Sequence, residues 1–169
     1  MSKTQLKKEL QALDKDGIIQ VVLDLYSARK EAKDYLEFFI DPDINARCEK
    51  SRQAIAKELA RGRRDSRARI SQIRKIIKDI ATLQPDAEYV ADLMVYAIET
   101  AFATSRELRF RTTLINGMER LIHDTVDYLD SHELLAHFLP RLEAAAARLS
   151  RWSSMKSFLP EAIEHLARN

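Results

Sequence analysis

Isoleucine recurs at positions 70, 73, 77 and 80, and Ala81 continues the series up to Gln84 and Pro85. Steps of three and four residues place these side chains on one face of an α-helix; a strand, whose side chains alternate, does not use that spacing. The same rhythm runs through most of the chain. Leu6, Leu10 and Leu13 form a stripe behind a cap at Ser2 or Thr4, and Ala32, Tyr35, Leu36 and Phe39 form another. Residues 86–104 are apolar over most of the helical circumference and leave Glu88, Asp92 and Glu99 on a thin polar sector, the pattern of a central core helix. Only 3 glycines and 4 prolines punctuate 169 residues, so helices have few breakers and strands are hard to place. The expected fold is all-α, a compact array of eight or nine antiparallel helices in a single domain. Its N-terminal helices span 1–60, a basic connection 61–69, and the main helical core 70–169.

Local signals set the expected boundaries. The run "IIQVVLDLY" over 18–26 is apolar on nearly every side and predicts a short helix covered by neighbours, with a β-strand as the competing reading. Ser27 is placed to cap a helix ending near Ile40, and Asp41 with Pro42 restarts the chain. The fourth helix, 43–60, has a narrow stripe of Ile44, Cys48, Ile55 and Leu59 and is expected at the edge of the fold. A helix over 107–129 turns Leu114, Met118, Leu121, Ile122, Thr125 and Leu129 inward. Shorter helices are expected around 131–138, 140–150 and 155–167, with the proline of each "FLP" where a helix begins, and Trp152 is expected to plug the core.

Cys48 is the only cysteine, so no intrachain disulfide can form, and a buried thiol in a reducing compartment is expected. No apolar run approaches the ~20 residues of a membrane helix, and "MSKTQLKKEL" lacks the apolar core of a signal peptide. The expected location is the cytoplasm. Net charge is +2 but unevenly spread: residues 1–85 hold 19 Lys/Arg against 13 Asp/Glu, and residues 86–169 hold 9 against 13. That asymmetry points to an acidic partner for the first half, or to pairing between the halves.

The basic excess peaks in "ARGRRDSRAR", residues 60–69, which holds Arg61, Arg63, Arg64, Arg67 and Arg69. Cations at the start of a helix oppose its dipole, so the arrangement is locally unfavourable until an anion arrives. Guanidinium forks beside free backbone N–H groups suit a phosphate or a carboxylate. Arg74, Lys75 and Lys78 fall away from the isoleucine stripe and extend the positive surface. The reading is a non-enzymatic interaction module that binds an acidic protein or phosphate-bearing ligand through Arg61, Arg63, Arg64, Arg67, Arg69, Arg74 and Lys78. The plainer alternative is a hydrated connection paired with acidic residues of the second half. Nucleic acid ranks behind both as a partner, because no aromatic residue interleaves the cations for stacking.

The different-class alternative is a metal-dependent enzyme or metal-binding bundle using Glu119, His123 and Asp127, which follow at four-residue steps in "MERLIHDTVDYLD". Their spacing departs from the Glu-x-x-His pair of bundle metal sites, and turning at ~100° per residue points His123 and Asp127 away from the apolar face. The chain has no glycine-rich phosphate loop, no zinc-like Cys/His spacing and no nucleophile elbow, so neither enzymatic activity nor a cofactor is expected. Asp92 and Glu99, seven residues apart on the central helix, would need partners such as Arg106, Arg109 or Arg111 if buried.

Four stretches, "SKTQLKKELQAL", "AKDYLEFFIDPD", "ARISQIRKIIKDI" and "PDAEYVADLMVYAIE", resemble a family of small bacterial helical proteins known only as a domain of unknown function. The resemblance covers roughly the first 100 residues, about one small domain. It implies a helical fold and carries no activity. It also implies a basic, glycine-containing segment before the "ARIS" helix, which Arg61, Gly62 and Arg67 to Arg69 match in kind. The C-terminal part departs from the more aromatic tails of that family.

Overall fold

The computed structural model describes residues 2–60, 68–104, 112–149 and 153–168, with Thr112 and Ser154 described in backbone only. Arg61, Arg63, Arg64, Arg67, Arg106, Arg109, Arg111 and Trp152 lie outside the described residues. The fold is all-α, with nine α-helices, one 3₁₀ turn and no strand among the described residues. None of these helices is long and apolar enough to cross a membrane. Packing divides the chain into two units, 1–43 and 44–169.

The first unit holds α1 (Lys3–Ala12), α2 (Lys15–Ala28) and α3 (Lys30–Ile40). Ser2 Oγ accepts the Gln5 N–H at 3.2 Å and opens α1. The Asp14 carboxylate accepts the Gly17 N–H at 2.8 Å and caps α2, which therefore opens ahead of the apolar run. Ser27 starts no helix: it lies inside α2 and its hydroxyl donates to the Leu23 carbonyl at 2.9 Å. Helix α3 therefore begins after Arg29 without a side-chain cap. It packs against α2, where the Tyr26 hydroxyl donates to Glu37 at 3.0 Å and Lys33 lies 5.4 Å from the Tyr26 ring centre. The expectation that neighbours cover α2 is not met: none of residues 2–43 is buried.

The second unit holds α4 (Ile44–Ala60), α5 (Ile70–Ala81), α6 (Ala87–Thr104), α7 (Thr112–Ser131), α8 (Leu135–Ala147), the 3₁₀ turn Ser154–Lys156 and α9 (Phe158–Leu166). As its pattern predicts, α6 is the centre: it packs against α4, α5, α7 and α8, and nine of its residues are buried. Cys48, Ile55 and Leu59 are buried along α4, which packs on α5 and α6 and so belongs with the core helices. The four isoleucines of α5 are buried, and the helix stops at Ala81, before Gln84 takes a left-handed φ of 54° ahead of Pro85. The inward stripe of α7 is buried throughout; its one hydroxyl, on Thr125, donates to the Leu121 carbonyl at 2.6 Å.

The two prolines of the "FLP" repeats behave differently. Pro140 opens no helix; it lies within α8, on an exposed position, and a single helix replaces the two expected there. Its absent N–H removes one intrahelical bond, which the surrounding turns tolerate. Pro160 sits in the first turn of α9, where a missing N–H is harmless.

A basic pocket at the start of helix α5

Helix α5 begins at an arginine. Arg69 occupies the cap position, and a guanidinium has no oxygen to offer the first N–H groups, so the helix has no side-chain cap. The cap residue is instead held from behind. Glu58 of α4, only 5% exposed, accepts the Arg69 backbone N–H at 3.1 Å and the Arg69 Nε at 3.2 Å on one carboxylate oxygen. The next N–H groups that bond, those of Gln72 and Ile73, reach the Arg69 carbonyl at 3.0 and 3.3 Å. Those of Ile70 and Ser71 have no acceptor among the described residues. They form the positive end of the α5 dipole.

Gly117 brings α7 close to this end. A Cβ there would stand 3.0 Å from both Cβ and Cγ1 of Ile70, so the crossing requires glycine's missing side chain. The approach sets Thr113, Asn116 and Arg120 of α7 across from Arg69, Ser71 and Arg74, around a cavity of about 480 Å³. That volume falls in the range of small-ligand sites. Three arginines, a serine, a threonine and an asparagine are among the residues that line it, and no Asp or Glu is among its described lining residues.

The cations differ in how far they are neutralised. Arg69 uses Nε on Glu58, and Arg74 uses one terminal nitrogen on Asp124 of α7, so each keeps further N–H donors. Arg120, Lys75 and Lys78 have no ion pair among the described residues. The positive surface predicted along α5 is thus partly paired within the molecule. Arg120 was not singled out from the sequence. Its signal was Gly117, since a lone glycine inside a helical pattern marks a close backbone approach.

The alternative column is not brought together. Glu119 and His123 are half-buried and Asp127 is exposed. Glu119 and His123 line a second hollow of about 410 Å³ with Asn116, Arg120 and Asp124, and the His123 ring meets the edge of His165 on α9 at 6.0 Å between centres. No group of three or more His, Cys, Asp or Glu is placed to hold a metal among the described residues.

Asp92 and Glu99 do find arginines, from helices the sequence did not indicate. Arg141 of α8 donates Nη1 to Asp92 at 2.7 Å, and Nε and Nη2 to Glu99 at 3.0 and 2.8 Å. Arg52 of α4 donates to the other Asp92 oxygen. Burial pushes the Asp92 carboxyl up, but hydrogen bonds and charge from Arg141 and Arg52 outweigh it and hold the group below its ordinary value. Beside them, burial pushes the Cys48 thiol up against the opposing pull of Arg52, so the buried cysteine stays a thiol. These groups brace α4, α6 and α8; bidentate donors satisfied on both sides leave little to offer a ligand.

The described residues thus make an all-α protein with a hollow between α5 and α7 that three arginines line. The chain belongs to the family of unknown function DUF6155, whose model matches residues 1–164. The match runs past the N-terminal part that carried the sequence resemblance and reaches into α9. No curated protein and no solved structure matches the chain.

Proposed function

We propose that residues 44–169 form a non-enzymatic interaction module that receives a phosphate-bearing or carboxylate group in the pocket between α5 and α7, with Arg61, Arg63, Arg64, Arg67 and Lys78 extending the attraction around it. The carrying observation is a concave lining with three arginines and no carboxylate, at a helix start with two N–H groups that meet no acceptor, both among the described residues. An oxyanion there would gain charge-assisted bonds and the helix dipole at once. A phosphate fits better than a single carboxylate, because three arginines around one hollow offer more N–H donors than the two oxygens of a carboxylate accept.

Titration calorimetry of the full chain with pyrophosphate, against citrate as the carboxylate arm, tests this reading. Arg120→Ala is expected to weaken pyrophosphate binding by ~10-fold or more, the scale of one charged hydrogen bond, with unchanged thermal unfolding. Equal binding by wild type and Arg120→Ala removes the pocket from the reading. Arg63, Arg64 and Arg67 changed together to alanine test the flanking stretch. Binding of DNA through ~5 phosphates would instead show a log–log salt slope near −4 to −5.

A further inference from the structure

We infer that the N-terminal unit is a self-association element, in which α2 of one copy packs against α2 of a second copy of the chain. Among the described residues, all eleven large apolar side chains that remain exposed belong to residues 1–43. Six of them, Ile18, Ile19, Val21, Val22, Leu23 and Leu25, lie on α2. At ~100° per residue they sweep an arc of roughly 200°, centred on Val22. Asp16, Gln20, Asp24 and Ser27 fill the remaining sector, where Gln20 donates to Asp24 at 2.9 Å. A helix with so wide an apolar arc needs cover on more than one side, and within its unit only α3 packs along it.

Two features favour a second copy as that cover. A 43-residue helical unit is near the size below which a chain needs oligomerisation, a metal or disulfides to hold a core. Two α2–α3 pairs make a four-helix arrangement with both α2 helices inside, the smallest helical assembly that buries such an arc.

Charge is self-complementary as well. Helix α1 carries Lys3, Lys7 and Lys8 against Glu9, whereas α3 and its flank carry Asp34 and Asp41, beside a Glu37 that pairs with Lys33. In a two-fold pair each copy offers the sign the other lacks. A membrane surface fits worse, since interfacial helices place cations on the polar sector and that of α2 holds two aspartates and none.

Sedimentation velocity of the full chain over a concentration series is expected to show a dimer, and Val22→Glu to weaken association roughly 100-fold. Hydrogen exchange of the wild type supplies a second measurement that needs no variant: protection over 15–28 rises with concentration. A single-chain mass up to ~100 µM, a dimer indifferent to Val22→Glu, or α2 protection independent of concentration each overturns the proposal. So does capture of the monomer by anionic phosphatidylserine vesicles without dimer formation, which would assign the surface to lipid.

Discussion

Helices α2 and α6 read alike in the sequence, apolar over most of their circumference and thin in charge, yet α6 has nine buried residues and α2 has none. The difference lies in their neighbours. Around α6, four helices converge, and its polar sector is closed by Arg52 and Arg141 on Asp92 and Glu99. The sector of α2 makes its bonds within the helix itself, Gln20 to Asp24 and Ser27 to the Leu23 carbonyl. An apolar arc therefore states that a helix needs cover; it does not state which molecule supplies it.

The sharpest way to break the contrast is truncation in each helix. Leu93→Ala, at a fully buried site of α6, is expected to cost ~3–5 kcal/mol in urea unfolding, because a cavity is left among four helices. A cost below ~1 kcal/mol would show α6 to be less tightly packed than its burial indicates. Next in size, Arg141→Ala removes the shared partner of Asp92 and Glu99 and is expected to cost ~1–3 kcal/mol, short of a fully buried pair because these side chains are part exposed.

The same brace predicts a pH dependence with a definite sign. The folded Asp92 carboxyl sits below its ordinary value, so its contribution is present above the unfolded pKa of ~3.9 and is lost as pH falls through the folded value. Acid unfolding followed by circular dichroism should therefore be shallower below pH ~4 in Asp92→Asn than in wild type; identical slopes would mean the brace does not couple to protons.

Smaller still, Gly117→Ala gains helix propensity but drives a methyl against Ile70, for an expected net loss of ~1 kcal/mol and a pocket with a displaced rim. A stabilised variant would show that α5 and α7 can separate freely. The smallest effect is expected for Leu25→Ala in dilute protein, under ~0.5 kcal/mol. A growing effect with protein concentration would tie α2 to assembly, whereas a large effect at every concentration would mean that the chain itself buries it.

Much of the fold was legible because it is periodic. The isoleucines of α5, the stripe of α7 and the crowded face of α6 all point inward as their spacing requires. The misreadings came from competition between local signals. Asp14 offered a cap ahead of the apolar run, Ser27 found a carbonyl within its own helix, and α8 absorbed Pro140. The cap positions of α5 and α7 residues across the pocket depend on which helices cross, and spacing along one helix carries no such information. Hence Arg69 and Arg74 were singled out and Arg120, from the other side, was not. Arg141 left a fainter trace, as the only Lys or Arg in the helix "LAHFLPRLEAAAA".

Glu58 and Arg69 grip one another eleven positions apart in the chain. The spacing of α4 from the pocket rim is thereby fixed by a contact and not by the length of the peptide that joins them. Holding two ends of a chain together costs only about 0.6 kcal/mol more per doubling of the loop between them, so a contact of this kind can set a spacing whatever the loop's length. The rim arginine thus keeps its register with α4 through its own backbone N–H as well as through its side chain.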